Sequence, residues 1–211
     1  MAVIFSMEIF SLLFSIPGVV IAVTIHEYVK SLVAYRLGDK AIKEQRRLFP
    51  NPFRHMDPLG AIFMLLFGYG WANPVRIAVF PPALRRKAAV IIVFMPFFVN
   101  ILIGASIAIT HGFIIMHFDG QPVANIELLQ SILEILRRAA IFNISFAFFN
   151  LLPIFPLDGM MLVTAYSPKA GMKLAMAEGA LQIALIFAII FGIAAMAFDP
   201  IVRLFLGALS F

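Results

Sequence analysis

Ile9-Phe10-Ser11-Leu12-Leu13-Phe14-Ser15-Ile16-Pro17-Gly18-Val19-Val20-Ile21-Ala22-Val23-Thr24-Ile25 carries no charge and runs straight into His26-Glu27-Tyr28-Val29-Lys30. An uncharged apolar run of that length reads as a membrane span, and apolar character resumes at Ser31-Leu32-Val33-Ala34-Tyr35. One helix from about Phe5 to Leu37 is therefore predicted, long enough to cross a bilayer with tilt. Pro17-Gly18 predicts a kink in it, and Gly38-Asp39 its stop.

Composition agrees. Of 211 residues 63% are hydrophobic and 13% charged, and the mean hydropathy is +1.01, which points to a polytopic membrane protein. No stretch between the apolar runs is long enough for a soluble domain, so residues 1–211 read as one membrane domain. There are no cysteines, which excludes disulfides and thiol chemistry. The net charge of +5 collects in short loops, as the positive-inside rule expects, so no nucleic-acid partner is implied. The apolar start has no basic stretch before it, so a cleaved signal peptide is not expected.

Asp39 to Asp57 holds Lys40, Lys43, Arg46, Arg47 and Arg54 and reads as a cytoplasmic loop. Leu59 to Phe67 is short for a span and has basic flanks on both sides, so it is predicted to be re-entrant. Irregular backbone after it, from Gly68 to Trp71 and around Pro74, Pro81 and Pro82, needs shelter from lipid. Ala88 to Met116 is a second span, followed by an outer turn at Asp119-Gly120-Gln121-Pro122. A helix from about Ile126 to Leu152 comes next, ending before Pro153 and Pro156. Its apolar part begins after Arg137-Arg138, which stand at the outer end against the charge rule. Pro168, Lys169 and Lys173 form an inner loop, and Ala180 to Phe198 is the last span, ended outside by Asp199-Pro200. The prediction is an all-α polytopic membrane protein with about four spanning helices plus a re-entrant segment, and both termini outside.

That topology brings His26-Glu27, at the inner end of the first span, to the same depth as Asp158, at the inner end of the third. Ionisable groups at membrane depth are functional candidates by default. His26, Glu27, Lys30 and Asp158 form one such cluster. In an H-E-x-x-H helix the two His share a face and hold Zn²⁺, while the Glu acts as general base. Here the second His position is Lys30, and an ammonium has three donors and no lone pair. A metal held by His26 and an Asp from another helix would leave room for a water that Glu27 can deprotonate.

These residues, with others along the chain, resemble the site-2 protease family of intramembrane zinc metalloproteases in its small form. His26 to Asp39 is similar to the family's first motif region. Asn51-Pro52-Phe53-Arg54-His55-Met56-Asp57-Pro58-Leu59-Gly60 and Gly70-Trp71-Ala72-Asn73-Pro74-Val75 are similar to its central loop. Asn150-Leu151-Leu152-Pro153-Ile154-Phe155-Pro156-Leu157-Asp158-Gly159 is similar to its second metal motif. The resemblance implies His26 and Asp158 as zinc ligands, Glu27 as general base, and Asn150 as a residue that positions the substrate strand or stabilises the oxyanion. It implies cleavage of a transmembrane segment of a membrane protein. It also implies residence in a prokaryotic cytoplasmic membrane, in contact with the lipid bilayer, with the site near the cytoplasmic face.

The departures matter as much. Lys30 replaces a ligand. Phe94-Met95-Pro96-Phe97-Phe98-Val99-Asn100 is bulky where the family is small, Arg46 to Pro50 lacks the usual Gly and Thr, and Met160 follows Gly159 where a small residue is common. Bulk there is expected to narrow substrate access. Three accounts of Lys30 stand open. It pairs with Glu27 or Asp158 in the metal's place; it turns aside or loses its proton while zinc binds through His26, Asp158 and a substitute; or it snorkels to the interface. His55 is the candidate substitute ligand, with a structural role as the plainer reading. His111 and His117 are expected at the outer interface, and Glu8 at a helix boundary. The function expected is a metalloprotease with a degenerate zinc site, its activity weak or lost. The alternatives are a metal-free pseudoprotease that binds a client's membrane segment and, more remotely, ion transport.

Overall fold

The computed structural model describes residues 2–78, 80–118, 121 and 126–207. The expected outer turn lies outside these except for Gln121, and the Glu8 side chain lies outside them too.

The opening run forms one helix, α1 (Ala2–Arg36), which continues through Pro17. Gly18 has a packing reason. A Cβ there would stand 2.8 Å from the Ala139 backbone, so its absence lets α1 and a later helix touch. The helix stops where the sequence places the stop. Gly38 takes φ +115, its N–H bonds Tyr35 O at 3.1 Å, and the Asp39 N–H bonds Ala34 O at 3.1 Å. That pair of bonds is the Schellman ending, which satisfies carbonyls the helix leaves open.

Short α2 (Ala41–Glu44) and α3 (Pro52–His55) lead to α4 (Pro58–Phe67), the predicted re-entrant piece. Asp57 caps it by accepting the Gly60 N–H at 2.8 Å, and Gly68 ends it at φ 82. The chain then doubles back along the helix until Ala72 bridges Met56. The return is so close that a Cβ on Gly60 would lie 2.0 Å from Trp71 O, and one on Gly70 2.1 Å from Gly60 O. Both ends of the hairpin therefore meet on one side, as a re-entrant segment requires.

Helix α5 (Pro82–Phe118) and α6 (Glu127–Phe149) pack on each other and on α1, making a three-helix centre. By length and apolarity α1 from Leu12 and α5 can each cross a membrane. α6 carries Glu134, Arg137 and Arg138 in its first half. The two arginines are neutralised locally: Arg137 binds Glu134 at 2.8 and 2.9 Å, and Arg138 binds Glu134 at 2.5 Å and Ser15 of α1 at 2.8 Å. After α7 (Gly159–Tyr166), α8 (Pro168–Met176) and α9 (Glu178–Ile190) form an apolar pair bent by 73°, the form of a broken span or of a re-entrant loop.

The expected last span over Ala180–Phe198 is not one helix. α9 ends at Ile190, Gly192 adopts φ +72, and α10 (Ile193–Gly207) begins afresh. Gly tolerates that left-handed turn where other residues are strained. Nor does Asp199-Pro200 end anything, since α10 continues through Pro200. Asp199 instead accepts the Tyr69 hydroxyl at 2.7 Å, tying α10 to the return strand of the re-entrant hairpin.

A buried ion-pair site between α1 and α7

His26, Glu27 and Lys30 lie on the inward part of α1, 1%, 1% and 4% exposed. Spacings of three and four residues put them on neighbouring sides of the helix. Asp158 reaches them from the turn between α6 and α7. That turn is closed by the Gly159 N–H donating to Asn150 O at 2.9 Å. It tolerates no side chain at Gly159, whose Cβ would meet Leu151 O at 2.1 Å. Asp158 stands at the N-cap of α7 but does not cap it; both of its oxygens go to α1.

Lys30 Nζ donates to Asp158 Oδ1 at 2.6 Å and also to Glu27 Oε1. Asp158 Oδ2 meets His26 Nε2 at 2.9 Å. Glu27 Oε2 accepts the Val75 backbone N–H at 3.2 Å. The network thus runs from the Val75 amide through Glu27, the Lys30 ammonium and Asp158 to His26, with the positive charge between two carboxylates. His26 packs edge-on against Phe146 with ring centroids 5.1 Å apart, and its Nδ1 is buried without a partner.

His26, Glu27 and Asp158 can each offer a ligand atom within 4.8 Å of the others, so the ligand types suit zinc. The fourth residue does not. Lys30 Nζ binds both carboxylates from the space between them, which is where a cation would have to sit. A protonated ammonium has no lone pair to give a metal. With Lys30 charged, the residues present do not fit a zinc ion.

Asn150 is buried and donates Nδ2 to Phe146 O at 2.9 Å, so it finishes α6 and anchors the Asp158 turn. His55 is fully buried, outside the cluster, and bonds Phe49 O through Nε2 at 2.9 Å. Burial holds its imidazole below the ordinary pKa. His111 and His117 lie on the far half of α5, and His117 packs between Phe113 and Phe118.

A cavity of about 270 Å³ opens beside the network, lined among others by Lys30, Val75, Phe155, Asp158, Met160 and Met161. Met160 is thus one of the residues that face the site. The Phe94–Phe98 bulk does not reach this cavity. Phe94, Phe97 and Phe98 pack on one another, Phe97 rests on Phe148 of α6, and Phe98 is 59% exposed. The contact from Val75 to Glu27 had no warning in the sequence, because a backbone amide carries no residue signature.

Residues 2–193 match the profile of Peptidase family M50. The chain is 32% identical over 182 residues to a protein of Bacillus subtilis (strain 168) named "Putative zinc metalloprotease YwhC", covering 82% of this chain and 77% of that relative. No solved structure gave a significant match. With the buried His26-Glu27 pair on a membrane helix and Asp158 beside it, the chain belongs to peptidase family M50, the site-2 protease family of membrane metalloproteases.

Proposed function

We propose that this family member is a pseudoprotease: the Lys30 ammonium supplies the charge a metal would supply, and the chain receives a membrane segment of a client protein without cutting it. The observation that carries this reading is the bonding of Lys30 Nζ to both Glu27 and Asp158. A general base must turn a lone pair toward the proton it takes. Glu27 has one oxygen on the ammonium and the other on the Val75 amide. The apolar cavity beside Lys30 is the place offered to the client segment, and the basic loop from Lys40 to Arg54 supports a cytoplasmic orientation for this end of the molecule.

A second reading, a weak zinc protease, draws on the 4.8 Å grouping of His26, Glu27 and Asp158 and on the name of the Bacillus relative. It requires Lys30 to lose its proton or swing away. The two separate in a cleavage assay with a model transmembrane substrate in detergent or liposomes. The parent and Glu27→Gln should leave the substrate equally intact while both retain it in a pull-down. Turnover by the parent that Glu27→Gln abolishes would establish the protease.

A further inference from the structure

Away from the Lys30 network, a second cavity of about 350 Å³ is lined by Gln45, Arg47, Phe53, Arg54, Asn73 and Arg76, with Pro74 at its wall. The fold gathers these arginines deliberately. Gln45 clamps the Arg76 backbone at two points, donating Nε2 to its O at 2.6 Å and accepting its N–H at 3.1 Å. The Asn51 cap turns α3 so that Arg54 comes back over Asn73, whose Nδ2 donates to Arg54 O at 3.3 Å. Arg47 is 8% exposed yet makes one hydrogen bond, from Nη1 to Asn73 O at 3.0 Å.

No carboxylate pairs directly with this charge. Among the described residues none of the three guanidinium groups forms an ion pair. Burial, then the neighbouring Arg54 charge, pull Arg47 below the ordinary guanidinium pKa, with Glu27 pulling the other way. Arg47 is nine-tenths buried, lines this cavity and makes one hydrogen bond to the protein, so it has donors left for an acceptor that arrives from outside. The rim says where that acceptor comes from. Phe53, on the cavity wall, is 94% exposed, and Phe49, Leu59, Ile62 and Leu66 are exposed apolar residues of the same stretch of chain. Guanidinium donors next to exposed aromatic and aliphatic side chains match a lipid, with its phosphate among the donors and its acyl chains against the rings.

We propose that Arg47, Arg54 and Arg76 form a binding site for a phosphate group carried by an anionic lipid headgroup, with Phe49 and Phe53 set into the adjoining acyl region. The site touches the ion-pair network through one wall. Pro74 lines both cavities, and Arg47 holds Asn73 O two residues before the amide that binds Glu27. A bound headgroup fixes that strand.

The full chain in neutral detergent tests this, with Trp71, the chain's single tryptophan, as the fluorescent reporter two residues from Asn73. Short-chain phosphatidylglycerol and phosphatidylcholine are titrated in parallel. The parent should bind phosphatidylglycerol about tenfold more tightly, as charge-assisted guanidinium–phosphate bonds predict. The R54Q/R76Q double variant should lose that preference while its phosphatidylcholine binding and helix content stay unchanged. R54K/R76K, which keeps charge but not the planar fork, should fall between them; it also decides the matter if the glutamine variant does not fold. Equal binding of the two lipids by the parent overturns the proposal, as does a preference that survives R54Q/R76Q. Inorganic phosphate competing at the lipid's own concentration would move the site to a soluble anion, and an acidic peptide displacing the lipid would move it to a protein partner. Either result overturns the lipid assignment.

Discussion

At the first half of α6, Glu134 pairs with Arg137 and Arg138 through side chains 25–45% exposed. Just past its other end, Asp158 pairs with Lys30 and His26 through side chains 1–5% exposed. Both networks tie α6 or its following turn to α1, and both contain arginine or lysine between carboxylates or the reverse. They differ in what replaces water. Around Glu134 solvent or headgroups still screen the charges, so the pairs add little. Around Lys30 burial leaves little screening, and each charge depends on its partners. A cluster of the second kind depends on every member, and the proposed role of Lys30 as the cation between Glu27 and Asp158 stands or falls on that dependence.

The comparison breaks most sharply at Lys30. Lys30→Ala leaves two buried carboxylates facing each other, and should cost about 3–5 kcal/mol of stability, read from chemical denaturation in detergent. If the variant unfolds like the parent, the buried network is not holding the fold. Gly159→Ala attacks the same network through the backbone. Its Cβ cannot fit against Leu151 O, and overpacking of this kind should cost about 1–3 kcal/mol and displace Asp158. At the other end of the scale, Glu134→Gln should change stability by about 0.2–1 kcal/mol, and less in high salt. A loss as large as that of Lys30→Ala would erase the distinction between the two networks.

His55 supplies a pH arm. Burial lowers its pKa, so the unfolded chain binds a proton that the folded chain refuses. Stability is then complete above the ordinary imidazole value of about 6.5 and falls as pH drops below it. A melting-temperature series from neutral to mildly acidic pH should show a steeper decline for the parent than for His55→Gln. Parallel curves would remove His55 from the account.

Much of this was readable in the sequence, for physical reasons. His26-Glu27 and Asp158 could be brought to one depth because hydropathy and charge bias set membrane topology directly. The re-entrant segment was readable because a short apolar run flanked by Arg on both sides has few other solutions. The break at Gly192 was not. Gly18, Gly104 and Gly192 look alike in apolar runs, yet two serve close helix packing and only Gly192 takes a positive φ. The orientation of Phe94 to Phe98 was hidden for a similar reason, since composition does not say which face of α5 they occupy. The Arg47–Arg54–Arg76 cavity was seen only as loop charge, because its members come together through the Gln45 clamp on a backbone 31 residues away.

The central claim is that Lys30 stands where a metal would, and metal content tests it most directly. The purified parent and Lys30→His, prepared side by side, are dialysed against buffered zinc and measured by elemental analysis. The account predicts little zinc in the parent and near-stoichiometric zinc in Lys30→His, where a second imidazole restores a ligand on the same face of α1. Near-stoichiometric zinc in both proteins would contradict it.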